Sequence, residues 1–213
     1  MSRHDWYRRS TWSKSDQAEF FDRLARSRSL FHKAQYVRIQ AHYLEESGLI
    51  QESLDLLIRL LAEWPSESEL PGVYCQKASC HIKLGDLESA TAAFRQCFKA
   101  EEKGAWKTSA RLDFLWMVAT NQLRDLYEEA RQELVDLTEP VVWPAAEYQM
   151  AGALALISND CGHPEAARRH ATAAIEAAGK ERSEARHHRK LGLVKNPDPK
   201  IFRQLERLAS RQQ

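Results

Sequence analysis

The sequence predicts an all-α chain of about four antiparallel helix pairs in tandem, with further helices capping both ends. Three observations carry that expectation. Gly (8) and Pro (7) are scarce in 213 residues, while Ala, Leu, Glu, Arg and Gln are plentiful, a composition that favours long helices joined by short turns. One local pattern of turn and small residue recurs four times along the chain. Helix-starting signals, including Pro144, Pro164 and Asp198-Pro199, fall where that pattern needs helices to begin.

The recurring pattern is a helical stretch, a turn, and a second helix with a small residue five positions after the turn begins. The turns are Gly48-Leu49-Ile50, Gly85-Asp86-Leu87, Asp125-Leu126-Tyr127 and Gly162-His163-Pro164. Five positions on lie Ser53, Ala90, Ala130 and Ala167, and four further on lie Leu57, Phe94, Leu134 and Ala171. Seven positions before each turn stand Ala41, Ala78, Val118 and Ala155. Two antiparallel helices that cross closely need small side chains at the crossing and bulkier ones above and below it. Glycine at three of the turns suits the left-handed conformation that ends a helix, and Asp125 is read as its substitute in the third.

On these residues the chain resembles the tetratricopeptide repeat (TPR) family. The second unit is most similar, with Ala78, the run Lys83 to Ala90, Phe94 and Cys97, and Pro65 stands at the family's closing position in the first unit. Turn-to-turn spacings of 37, 40 and 37 residues exceed the roughly 34 of that family, which places extra residues in loops such as 103–110. The resemblance covers residues 34–179 and implies a right-handed α-solenoid, with pairs at 34–67, 71–104, 111–144 and 148–179. Residues 1–33 are then an aromatic, basic segment with a capping helix, and 180–213 are basic capping helices.

The end segments follow from local pattern. Residues 16–27 place Ala18, Phe21, Leu24 and Ala25 on one helical face, with Ser13 or Ser15 as cap. Residues 180–191 are expected to be helical despite their charge. A last helix after Asp198-Pro199 has Ile201, Leu205 and Leu208 on its apolar face. Such caps cover the end faces of an array.

A net charge of +1 hides a strong asymmetry: +5 over residues 1–38, −10 over 39–179 and +6 over 180–213. No run approaches the roughly 20 apolar residues that span a bilayer, and residues 1–16 lack the apolar core of a secretory signal. Cys75, Cys80, Cys97 and Cys161 fall inside helical patterns without paired spacing. Reduced thiols in a cytoplasmic protein are therefore expected.

Nucleophile-elbow, P-loop, dinucleotide-binding and zincin motifs are absent from the sequence, so no catalytic residue is assigned and an enzyme is not expected. No cofactor or metal is expected either. His187-His188 and Cys80-His81 are adjacent pairs, whose side chains diverge by about 100° on a helix. Trp64, Trp106 and Trp143 lie near helix ends, where large rings fill gaps.

The expected function is a protein–protein interaction module: an adaptor, co-chaperone or regulatory subunit. The TPR resemblance implies that the first helix of each pair lines a concave face that holds a partner peptide or helix. Carried over by position, that face offers Gln35, Arg38, His42 and Glu45; Gly72, Gln76, Ser79 and Lys83; Leu115, Trp116, Ala119 and Gln122; and Gln149, Gly152, Leu156 and Asn159. The candidate contacts are Arg38, His42, Gln76, Ser79, Lys83, Trp116, Gln122, Gln149 and Asn159, with Trp116 as an apolar anchor. The family's carboxylate clamp is not reproduced, because His42, Gln76 and Ser79 stand where it would want Asn. The alternative is a polyanion- or nucleic-acid-associated protein that uses Lys180, Arg182, Arg186, His187, His188, Arg189 and Lys190.

Overall fold

The computed structural model describes residues 5–104, 106–135, 143–184 and 188–210. Among them there are ten α-helices and no strand. The helices are α1 (Lys14–Ala25), α2 (Leu30–Glu46), α3 (Ile50–Glu63), α4 (Leu70–Leu84), α5 (Leu87–Lys103), α6 (Ala110–Thr120), α7 (Tyr127–Val135), α8 (Pro144–Asp160), α9 (Pro164–Ala178) and α10 (Pro199–Ala209). No described helix is long and apolar enough to cross a membrane. The chain divides into two compact units, residues 1–110 and 111–213.

In the first unit α2 packs on α3 and α4 on α5, with α3 against α4 joining the two hairpins. The predicted small positions close these crossings: Ala41, Ala78, Ser53 and Ala90 are all fully buried. Ser53 is polar at a buried site, and its hydroxyl is satisfied by donating to the Ala41 carbonyl at 2.7 Å and accepting from the Cys80 thiol. Leu44, Leu57, Leu60, Val73 and Phe94 fill the space around the crossings.

The N-terminal segment is fastened to this unit. Gln40, fully buried in α2, holds the Arg9 backbone from both sides, donating to its carbonyl at 2.8 Å and accepting from its N–H at 3.0 Å. Trp6, Tyr7, Phe20 and Tyr36 pack ring to ring above that clamp. Ser13, one of the two expected caps, begins α1 through a reciprocal box with Asp16. Two hydrogen bonds from Ser13 hold the Asp16 carboxyl at a pKa of about 2.

In the second unit α8 packs on α9, and Arg111 of α6 pairs with Glu133 of α7 at 3.2 Å. Ala130, Ala155 and Ala167 are buried as the pattern required. Helix α10 lies against α9 and, to a smaller extent, α8, with Leu205 and Leu208 buried. Asp198 caps it by accepting from Lys200 N and Ile201 N. This is the expected terminal helix.

Four turns end their helices with one motif, and the third corrects the sequence reading. Gly48, Gly85 and Gly162 adopt φ of +82°, +80° and +76°. The next N–H in each reaches back five residues: Leu49 to Leu44, Asp86 to His81 and His163 to Ser158. The same bond joins Leu123 to Val118, with Gln122 at φ +55°. The left-handed residue is therefore Gln122, not Asp125. Asp125 belongs to a single 3-10 turn, Arg124–Leu126, inserted before α7. That insertion accounts for three residues of the long spacing, and Val118 sits nearer its helix end than Ala41, Ala78 and Ala155 do.

The segment expected to form a helix at 180–191 does not form one in its described residues. Lys180–Glu184 and His188–Leu191 are bends and turns. Ser183 N–H donates to the Arg189 carbonyl at 2.8 Å and its hydroxyl to the His188 carbonyl. Gly192, at φ +67°, lies against the Trp143 ring, and its carbonyl accepts from Ala145 N–H at 2.7 Å. Backbone bonds to a small loop replace the helical ladder that closely spaced like charges disfavour.

Candidate partner-binding site

In the first unit the predicted contacts come together as one strip along α2 and α4, and most are already engaged. Arg38 Nε bonds Glu69 Oε2 at 2.6 Å. Glu45, buried beneath the strip, accepts from the Ser79 hydroxyl and pairs with Lys83 Nζ at 2.8 Å. Gly72 has no room for a side chain: a Cβ there would lie 3.1 Å from the Trp106 ring and 3.3 Å from Arg38. His42 is exposed. Gln76 is only 9% exposed, and its Nε2 has no hydrogen-bond partner. A buried amide donor left unpaired costs about 1–3 kcal/mol, so this atom is the point in the strip where an acceptor would gain most.

Trp106 covers the Gly72 position of the strip, next to Arg38. Its indole N–H donates to the Ser68 carbonyl at 2.8 Å, and its ring closes over Gly72. Glu101, fully buried, holds the following loop by accepting from the Thr108 N–H and hydroxyl at 2.6 Å each. Sequence reading placed Trp106 as a gap-filler and Glu45 on the concave face, but missed Glu69 and Glu101 and the burial of all three acids. An acidic residue at helical spacing reads as solvent-facing, and nothing local marks these three as buried.

In the second unit Trp116 is half-buried rather than free in a groove. Its ring lies over Gly152, where a Cβ would approach to 3.0 Å, and 5.6 Å from the Tyr148 ring. Gln149 Nε2 donates to Asp113 at 2.8 Å. Gln122 is exposed at the turn, and with Asn159, Ala119 and Leu156 it lines a small cavity closed by Ile201 and Gln204 of α10. Leu115 is fully buried, so it belongs to the core and offers no contact. Asp160 beside that cavity is bridged by Arg124 and by the Tyr127 hydroxyl. The Arg124 bond holds the Asp160 carboxyl below its ordinary range, while burial pushes Tyr127 up to about 12.

Lys180 is neutralised by Glu147, while Arg182, His188, Arg189 and Lys190 are exposed. Arg186 and His187 lie outside the described residues. Among the described residues no group of three His, Cys, Asp or Glu could hold a metal ion.

Successive hairpins with small residues at each crossing and a left-handed turn between the helices define a helical-repeat protein. A family model, the tetratricopeptide repeat, matches residues 71–103. That span is the hairpin of α4 and α5, the unit with the fullest pattern. The chain is thus a TPR-like helical repeat protein, a class of general protein-interaction modules. Neither the curated proteins nor the solved structures include a significant match.

Proposed function

We propose that this chain is a non-enzymatic adaptor, co-chaperone or regulatory subunit that holds a peptide or helix of a cytoplasmic partner along the first-helix strip of its TPR-like hairpins. The observation that carries this reading is Gln76. It sits within the matched repeat, nearly buried on α4, the helix that also carries Ser79 and Lys83, with an amide N–H that lacks an acceptor. A peptide carbonyl or side-chain oxygen would supply that acceptor. Glu69 and Glu45 hold Arg38 and Lys83 in place, which lowers the entropy lost on binding. In the second unit, taken by itself, Trp116, Gln149 and Asn159 are proposed as partner contacts.

The test is affinity capture with the intact chain, followed by titration of the captured partner against variants. Gln76→Leu, Arg38→Gln and His42→Ala should each weaken binding about tenfold, as expected for central contacts. Arg207→Ala on α10 should not. Normal binding by all three variants would remove the strip from consideration.

The second reading, polyanion binding, draws on the exposed Arg182, Arg189 and Lys190, none of which pairs with a described acid. It predicts an affinity that falls steeply with salt and is lost in Arg182→Glu and Arg189→Glu.

A further inference from the structure

A second surface, away from the first-helix strip and independent of what that strip binds, lies between α1 and α3. A cavity of about 180 Å³ opens there, lined by Trp12, Gln17, Phe21, Glu52, Asp55, Leu56 and Arg59. Its apolar part is Leu56, which is buried, and the half-buried rings of Trp12 and Phe21, whose centroids stand 6.1 Å apart edge to face. Its polar part is two carboxylates one turn apart on α3. Asp55 accepts a hydrogen bond from Gln51, and neither acid forms an ion pair with a described residue.

The one cation on the wall is already engaged. Arg59 binds Glu63 through two nitrogens, at 2.7 and 3.3 Å. Its guanidinium stands 4.0 Å from the Phe21 ring centroid and 5.4 Å from that of Trp64. With Arg59 and Glu63 cancelling, the cavity presents two uncompensated negative charges beside aromatic faces. The seating of Arg59 shows that the Phe21 ring on this wall accepts a cation at van der Waals range.

We propose that this cavity is a docking pocket for a lysine or arginine side chain of a partner's basic peptide segment. The aliphatic stem would lie along Trp12 and Leu56, and the charged head would sit between Glu52 and Asp55. Long basic side chains are suited to such a site because their stems are apolar and their heads need a polar rim. Neither an acidic nor a neutral side chain would offset the two carboxylates.

The experiment titrates the full chain with four short acetylated and amidated glycine peptides, monitored by backbone amide chemical shifts. The peptides carry two lysines, two arginines, two N-acetyl-lysines or two glutamates. The lysine and arginine probes should bind saturably and shift amides of Trp12, Phe21, Glu52 and Asp55. The acetyl-lysine probe should bind at least about tenfold more weakly and the glutamate probe not at all. The double variant Glu52→Gln with Asp55→Asn alters only partly or fully exposed groups, and should weaken the basic probes about tenfold. Glu88→Gln on α5 should leave them unchanged.

The proposal is overturned if no probe binds or if acetyl-lysine binds as well as lysine. It also fails if the double variant binds normally, or if Glu88→Gln weakens binding equally, which would indicate diffuse attraction to acidic surface. Self-association of the chain that disappears in the double variant would assign the pocket to a second copy and overturn the peptide reading.

Discussion

Reversing the charge at Lys83 should destabilise the first unit, well beyond what a surface lysine would suggest. The reason is Glu45, whose carboxylate is buried and rests on Lys83 Nζ at 2.8 Å and the Ser79 hydroxyl. At an effective dielectric of about 20, the gross attraction at that distance is about 6 kcal/mol. Desolvating Glu45 cancels most of it, and Lys83, 41% exposed, is screened by water. The net coupling should be about 1 kcal/mol, between surface and buried pairs. Lys83→Met should therefore cost about 1–2 kcal/mol, because Glu45 keeps only the hydroxyl of Ser79. Lys83→Glu sets a second carboxylate against the first and should cost about 2–4 kcal/mol. Adding Glu45→Gln should recover most of the loss in either background. Native-state hydrogen exchange at α4 amides reads the opening free energy of this unit directly. If Lys83→Glu were no less stable than Lys83→Met, Glu45 would not be acting as a buried charge and the reasoning would fail.

Four further outcomes are expected. Cys161 is exposed and should be alkylated first at pH 8. Cys80, raised to about 11 by burial, and Cys97, raised by its contact with Cys75 and by burial, should react only on unfolding, with four free thiols then counted by mass. The Asp16 pKa is lowered in the fold from 3.8 to about 2, so its contribution to α1 is present above the unfolded value and lost as pH falls through about 2. The helicity advantage of the wild type over Asp16→Asn should accordingly shrink between pH 4 and pH 2, while a pH-independent difference would contradict the capping box. Gly152→Ala should push the Trp116 ring aside, costing about 1–3 kcal/mol and red-shifting tryptophan emission. Ala90→Trp should overfill the α4–α5 crossing and cost at least about 1–3 kcal/mol in urea melts, and unchanged stability would dispute the close approach there.

Much of the fold could be read from sequence because it is written in local rules. Glycine at a helix end, a small residue at a crossing and serine or aspartate at a helix start each act within a few positions. Gly48, Gly85, Gly162, Ala78, Ala90, Ser13 and Asp198 were therefore legible. The third turn was not, because Gln122 takes the left-handed conformation without the glycine that would announce it. The helix expected at 180–191 is not found in its described residues, since Ser183 donates to the Arg189 and His188 carbonyls and the nearby Gly192 carbonyl accepts from Ala145. The site was legible only as a set of positions. What each cation does is decided by Glu69 and Glu45, placed 31 and 38 residues away in the chain. The Arg59–Phe21–Trp64 stack likewise unites α3 with a helix some 40 residues earlier, beyond the reach of any spacing rule.

The position of α10 bears on how this chain can be shortened. Its Leu205 and Leu208 are buried, and Leu205 reaches to within 3.3 Å of the Cβ position at Gly152. A truncation at Asp198, attractive because the preceding loop is turn-rich, would strip cover from the alanine-lined face of α9 and from α8. The shortened protein would present a fresh hydrophobic patch, of the kind that drives precipitation or adventitious dimers at high concentration. Trimming for expression or crystallisation should therefore keep residues through Ala209. If α10 must be removed, the newly bared surface should be replaced with polar residues.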